Sequence, residues 1–270
     1  MDILFILKYI ILGVIEGLTE FLPVSSTGHL IIFNNLLSIE EDAFNRLFLV
    51  VCQLAAILAV LVLYWPRIWK IIVSFFKWEK KGRRFVLAWI MGCVPAVVFA
   101  LLFEDAIDAL FFNVPSVVLA LAVGALLLIF GEKFVATRNI KNDASEMTVK
   151  DSLVVGVAQC ASLWPGFSRS ASTIMGGWAA GYTTSAAADF SFFLAIPIMF
   201  GASGYSLVKY FKGGAAEAAG ASLHFTMDQK LAFGLGCVVS FVVSLIVVKT
   251  FLEFLKKRPL KYFSYYRLGL

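Results

Sequence analysis

Residues 13–30, GVIEGLTEFLPVSSTGHL, constrain this chain more than any other stretch. Apolar sequence leads in from Ile3 and resumes at Leu30, yet between them stand Glu16 and Glu20. Four residues apart, the two carboxylates share one face of a helix. Pro23 ends that helix, and Ser25, Ser26, Thr27, Gly28 and His29 follow as a run of small polar groups. An acidic residue at mid-span costs about 2.5–3.5 kcal/mol to insert, and two on one face also repel. The arrangement is tenable when a cation or a hydrogen-bonding partner sits between them, in a cavity that water reaches. This stretch is the candidate active site.

The setting is a membrane. Hydrophobic residues make up 60% of the 270 and charged residues only 15%, against roughly 25% charged in a soluble domain. The positive balance, 23 Lys and Arg against 18 Asp and Glu, would suit nucleic acid only if the basic residues were spread over a soluble surface. They are grouped in loops between apolar runs, the positive-inside pattern, so nucleic acid is excluded as a partner. Cys52, Cys93, Cys160 and Cys237 stand singly in apolar surroundings and read as small core residues. Asp2, Lys8, Glu16 and Glu20 break the first apolar run, and no small-residue cleavage site follows, which argues against a cleaved signal peptide.

A crossing needs about 20 apolar residues. Residues 3–22 and 30–37 are too broken for that and predict a hairpin that enters the membrane and returns. Full spans are expected at 47–65, 85–103 (with Pro95 as a kink), 115–130, 186–208 and 231–255. The connector 66–84 holds seven basic residues against one Glu, with Trp65, Trp69 and Trp78 suited to the interface. With the basic tail 256–270 it belongs inside; the acidic 104–114 and, more weakly, 209–230 belong outside. Thr148 and Asp151 have capping-box spacing for the next helix.

The opening pattern then recurs: 152–164 is apolar, Pro165 breaks it, 166–173 (GFSRSAST) is small and polar, and 174–182 is short. Gly13-Val14-Ile15-Glu16 aligns with Gly156-Val157-Ala158-Gln159, and Thr19 with Ser162. After a one-residue gap Pro23 falls on Pro165, and Gly92-Cys93-Val94 matches Gly236-Cys237-Val238. The reading is an all-α polytopic membrane protein built as an inverted repeat. One half is 1–135 (hairpin 3–37 and three spans). The other is 148–270 (hairpin 152–182 and two spans, its last span short or absent). Such a plan sets a site at the midplane between the halves. Glu16, Glu20 and His29 come from one half and Arg169 from the other. A guanidinium facing two carboxylates and a histidine suits an anion with a metal, and phosphate is the natural guest.

With LWPGFSRSAST, the first motif closely resembles the undecaprenyl-pyrophosphate phosphatase (bacitracin-resistance protein) family, from about residue 9 onward. The resemblance implies an integral-membrane hydrolase that removes the terminal phosphate of undecaprenyl pyrophosphate, its lipid partner, and so recycles the cell-wall carrier. It also implies bacitracin resistance through the shared substrate, and the bacterial plasma membrane with a site open to the outer face. A homodimer is compatible with it. Carried over, Glu16 and Glu20 would hold Mg²⁺ or Ca²⁺ and Arg169 would clamp the pyrophosphate. Ser26 would attack with His29 as base, or His29 would activate a water or attack directly. Ser25, Thr27, Ser168, Ser170 and Thr173 would donate to phosphate oxygens, as would the free N–H groups of the helix starts after the two prolines. Ala171 stands where the family commonly has Gly, and Asp189 where it often has Glu. Relatives usually continue with a further apolar span after the Tyr-Tyr-Arg region.

Among the remaining polar groups, Gln159 is expected to support its hairpin, Gln53 and Asp189 to line the cavity or bond to each other, and His224 to be solvated. Phosphatidic-acid-phosphatase chemistry is rejected: Met175 stands where that superfamily needs a histidine, and its upstream basic-proline motif is absent. A prenyl-phosphate flippase remains the alternative, because inverted repeats with opposed hairpins are also a transporter plan.

Overall fold

The computed structural model describes residues 1–40, 42–111, 113–135, 141–212 and 225–270; His224 lies outside them. Among the described residues there is no strand. The helices are α1 (Ile3–Thr19), α2 (Ser26–Leu36), α3 (Ala43–Phe76), α4 (Lys80–Phe111), α5 (Val114–Val135), α6 (Val149–Gln159), α7 (Arg169–Ala179), α8 (Thr184–Lys212), α9 (Met227–Leu255) and α10 (Lys261–Gly269). A 3₁₀ turn, Cys160–Leu163, extends α6. Five of them, α3, α4, α5, α8 and α9, are long and apolar enough to cross a membrane. These are the five spans expected from hydropathy, and the chain is an all-α multi-pass membrane protein. The four cysteines are free.

The helices outrun the apolar segments that announce them. The 34 residues of α3 measure about 50 Å at 1.5 Å per residue, against a hydrocarbon core of about 30 Å. The basic connector expected from 66 is therefore helical as far as Phe76, with Pro66 carried inside the helix. Trp65, Trp69 and Trp78 are exposed beside it. In α4 the non-helical residue is Phe103 (φ −123°, ψ 17°), so the break falls eight residues beyond Pro95, and helix resumes through much of the acidic segment. Thr148 and Asp151 form the expected capping box of α6.

Two helix pairs hold the hairpins. α1 packs along α9, and α6 along α4. At both crossings glycine meets glycine: a methyl at Gly13 would fall 2.2 Å from the carbonyl oxygen of Gly236, and one at Gly156 would fall 2.4 Å from that of Gly92. The segments aligned with each other in sequence thus supply the two sides of these contacts crosswise. In a membrane such close backbone approach replaces the hydrophobic drive between helices. Gly13→Ala is expected to destabilise by about 1–3 kcal/mol through overpacking, read as a lower unfolding midpoint in detergent. Gly234→Ala, on the same α9 with open space around it, should leave the midpoint unchanged.

Beyond the basic residues 256–258, α10 packs along α5. The backbone N–H groups of Leu260 and Lys261 donate to the Glu132 carboxylate at 2.5 and 2.9 Å. Arg267 is reached one helical face later, and it is buried. Its spacing of three from the buried Ser264 puts both on the inner stripe, while Tyr262, Tyr265 and Tyr266 are about half exposed.

Candidate active site

Each broken hairpin turns on a serine with positive φ. Ser25 (φ 69°) caps α2 and Ser168 (φ 81°) caps α7. Each side-chain oxygen accepts from the backbone N–H three residues on, Gly28 at 3.4 Å and Ala171 at 3.3 Å. A positive φ is uncommon and costly for a residue with a side chain, and finding it twice at one place in two motifs marks a shaped turn. The caps are 143 residues apart, as are Gly13 and Gly156, so the gap at the prolines closes again by the serine. Ser26 is thereby the positional counterpart of Arg169, each opening its helix. Arg169, Ser170 and Thr173 accordingly lie in the first turns of α7, where a polar loop to residue 173 was expected.

Between the turns lies a cavity of about 150 Å³, the space of about five waters at ~30 Å³ each. Of the candidate residues, Glu20, Ser25, Ser26, Thr27, Ser168 and Arg169 line it; Gln53, Ser162, Pro165 and Gly166 complete the wall. Across it runs a continuous polar link. Ser26 Oγ donates to Glu20 Oε2 at 2.5 Å, and Arg169 Nη2 donates to Glu20 Oε1 at 3.2 Å. The other guanidinium nitrogen, Nη1, donates to the Ser191 carbonyl at 3.3 Å. The ion pair is largely buried, 11% and 6% exposed at its two side chains, so it is scarcely screened.

Four candidates stand outside this cavity. Ser170 donates to the Leu22 carbonyl at 2.9 Å and so ties one turn to the other. Thr173 is fully buried, 2.6 Å from the Ser191 hydroxyl, and donates within its own helix. Both ring nitrogens of His29 are bonded to groups other than Ser26: Nδ1 lies 2.7 Å from the Ser25 carbonyl and Nε2 lies 2.7 Å from the Tyr266 hydroxyl. The geometry thus pairs Ser26 with Glu20, where sequence spacing had suggested His29. Glu16 is sealed, 1% exposed, with neither carboxylate oxygen hydrogen-bonded. Its aligned partner Gln159 has a buried amide without partners as well.

Gln53 and Asp189 do not meet. Gln53 faces the cavity. Asp189 takes a bidentate pair from Arg67 at 2.5 and 2.6 Å and a hydrogen bond from the Tyr64 hydroxyl at 2.8 Å. Arg67 is 14 residues beyond Gln53 on α3, about 21 Å along the helix. The larger cavity there, about 540 Å³, shares no lining residue with the cavity at Glu20 and Arg169. Ser191 carries no motif, and Tyr266 and Arg267 appear in sequence only as part of the Tyr-Tyr-Arg region, with no site role assigned. The signal available for Ser191 is a hydroxyl two residues from Asp189 inside a span.

The unpartnered Glu16 carboxylate is the observation that bears on a metal. Two uncompensated buried oxygens fit a hard cation, and with Glu20 one helical turn away the donors are all oxygen, as Mg²⁺ and Ca²⁺ prefer. Among the described residues no group of three or more His, Cys, Asp or Glu could hold a metal. The protein's share of a coordination shell would be the two carboxylates, the remainder being water or substrate oxygen, which is the habit of Mg²⁺.

Fold and site together define a multi-pass α-helical membrane protein with a polar cavity between two broken hairpins, spanned by a serine, a carboxylate and an arginine. Residues 9–270 match the family model "Bacitracin resistance protein BacA", and the chain belongs to that family. It is 44% identical over 265 residues to the undecaprenyl-diphosphatase of Clostridium tetani (strain Massachusetts / E88), covering 98% of this chain and 93% of that protein. It is 42% identical over 295 residues to the undecaprenyl-diphosphatase of Clostridium perfringens (strain SM101 / Type A), with 99% and 94% covered. Undecaprenyl-diphosphatase 2 of Clostridioides difficile (strain 630) is 43% identical over 276 residues, with 99% and 93% covered.

Proposed function

We propose that this protein is an undecaprenyl-diphosphate phosphatase, releasing inorganic phosphate from undecaprenyl pyrophosphate and leaving undecaprenyl phosphate. The observation that carries the reading is the Ser26–Glu20–Arg169 link across the cavity. The names of the relatives support hydrolysis over flipping and bring bacitracin resistance with it, through the shared lipid.

In this reading the terminal phosphate enters between the two serine caps. Arg169 turns its donors from Glu20 to the phosphate oxygens, and the N–H groups at the starts of α2 and α7 add theirs. Ser26 Oγ attacks phosphorus, its proton passes to Glu20, and the bond to the bridging oxygen breaks, releasing the lipid monophosphate. A water then hydrolyses the phosphoserine, giving inorganic phosphate and the free hydroxyl. Glu16 and Glu20 would hold Mg²⁺ or Ca²⁺, which would supply positive charge to offset that on the transferred phosphoryl. His29 supports the turn through Ser25. Two halves, 1–135 and 148–270, inserted in opposite senses, would bring the two turns together at mid-membrane. The glycine crossings support that reading. The basic residues grouped around the turn between α3 and α4 support an inner-facing end there, in the plasma membrane, with the cavity opening outward.

The test is phosphate release by purified protein in detergent, where transport is impossible, from farnesyl or undecaprenyl pyrophosphate. Release is expected with Mg²⁺ or Ca²⁺ and should fall at least 100-fold in EDTA. Folded protein that binds the lipid but releases no phosphate with either metal would sink the proposal and favour the flippase.

A further inference from the structure

The C-terminal helix brings two consecutive side chains to the back of the site. Arg267 is 2% exposed. It donates from Nη1 to the Pro23 carbonyl at 3.4 Å, and from Nη2 to the Gly166 carbonyl at 3.0 Å and the Ala120 carbonyl at 3.2 Å. Pro23 and Gly166 belong to the two different turns, each two residues ahead of its serine cap. One guanidinium therefore fastens both turns to α5. Gly124 of α5 makes the room, since a methyl there would fall 2.4 Å from Nη2. Among the described residues no carboxylate pairs with this cation. A buried charge held only by carbonyl dipoles is a costly device if the helix needs nothing but anchorage, which an apolar side chain would give.

Tyr266 does the same for the histidine. Its hydroxyl is 2.7 Å from His29 Nε2, and the two rings stack 5.5 Å apart at 7°. The Ser25 carbonyl can only accept, so His29 Nδ1 carries the proton and Nε2 accepts from the tyrosine.

We propose that Arg267 and Tyr266 are positioning residues of the active site. Arg267 sets the spacing between the turn that carries Ser26 and the turn that carries Arg169. Tyr266 fixes the ring of His29 and, through it, the Ser25 carbonyl at the cap. Neither side chain lines the cavity, so both act through the groups that do. The proposal rests on the phosphatase reading. Displacing a reacting group by about 1 Å can cost about 100-fold, and the phosphate would still find Arg169 and the helix starts. The signature is therefore a loss in kcat at nearly constant KM.

Arg267→Lys keeps the charge but offers a compact ammonium where a planar fork spans three carbonyls. It should lower kcat for phosphate release about 100-fold, with KM within threefold of wild type. Tyr266→Phe keeps the ring and loses the hydroxyl, and should lower kcat about tenfold. Both should retain their melting temperature within a few degrees. Both should also bind a non-hydrolysable farnesyl methylenediphosphonate within threefold of wild type, a readout that needs no turnover. Free guanidinium ion added to Arg267→Ala should recover at least tenfold of the lost kcat while leaving the lysine variant unaffected. Retention of more than one third of wild-type kcat by Arg267→Lys overturns the proposal. So does a loss of analogue binding and melting temperature in step with activity, which marks a structural role. Wild-type protein that binds the analogue but releases no phosphate overturns the phosphatase reading itself, and this proposal with it.

Discussion

Glu20→Gln and Ser26→Ala are each expected to lower kcat for phosphate release by about 10³–10⁴-fold, in line with the upper range for a positioned acid–base group. The double variant should be no worse than the poorer single one by more than about threefold. The reason is the 2.5 Å contact between Ser26 Oγ and Glu20 Oε2. A hydroxyl is a weak nucleophile unless a base takes its proton, and a base without its nucleophile has nothing to deprotonate, so the pair fails as a unit. Glutamine preserves the shape of Glu20 and still offers a carbonyl oxygen to Arg169, so what is lost is the carboxylate charge, as base and as the metal ligand it would be. His29→Ala should cost only about tenfold, because both ring nitrogens are already engaged by Ser25 and Tyr266. Phosphate release from a prenyl pyrophosphate, with circular dichroism to confirm folding, decides the ranking. If His29→Ala proves as damaging as Ser26→Ala while Glu20→Gln stays mild, the base is the histidine and the assignment given to Glu20 falls.

Why sequence suggested His29 is instructive. Three residues apart on a helix, Ser26 and His29 can share a face, and that spacing is the only geometry a sequence carries. The partner chosen in the structure comes from across a proline turn, six residues back, and the backbone path of that turn is not a periodic feature. The same limit explains the boundaries. Hydropathy located all five spans, but it could not tell that α3 would continue through Pro66 or that the polar run after Ser168 would coil into α7. The Ser168 cap starts α7, and beyond Pro66 Ile68, Ile71 and Ile72 pack α3 against the core; the apolar count is no guide to either. Six of the candidate residues were legible because charge and hydroxyl groups inside apolar sequence demand a reason. Arg267 was not, because it sits in a tail where cations are ordinary; only the fold of α10 against α5 reveals that this one is buried. Glu16 was legible as unusual and remains so, a carboxylate without a protein partner.

Arg169→Ala should remove about 10³-fold or more from kcat/KM, equivalent to about 4 kcal/mol of transition-state stabilisation, and Arg169→Lys about 10²-fold. The lysine loss follows from shape. The guanidinium holds Glu20 with one nitrogen while the other reaches Ser191, and a single ammonium cannot keep both contacts and still offer a planar fork to a phosphate. The alanine variant has a second consequence. It leaves Glu20 buried beside Glu16 with no counter-charge, and stranding one member of a buried pair costs about 3–5 kcal/mol. Its melting temperature in detergent should therefore drop. Adding Glu20→Gln removes the stranded charge, so the double variant should melt near wild type yet stay inactive. The double variant reads stability alone, because Glu20→Gln removes the base in any background; the catalytic duty of the arginine is read from Arg169→Lys, which keeps the counter-charge and loses the planar fork. A double variant that melts as low as Arg169→Ala would mean that Glu20 needs no counter-charge from the arginine, and an Arg169→Lys variant with wild-type kcat/KM would mean that the phosphate needs no planar fork.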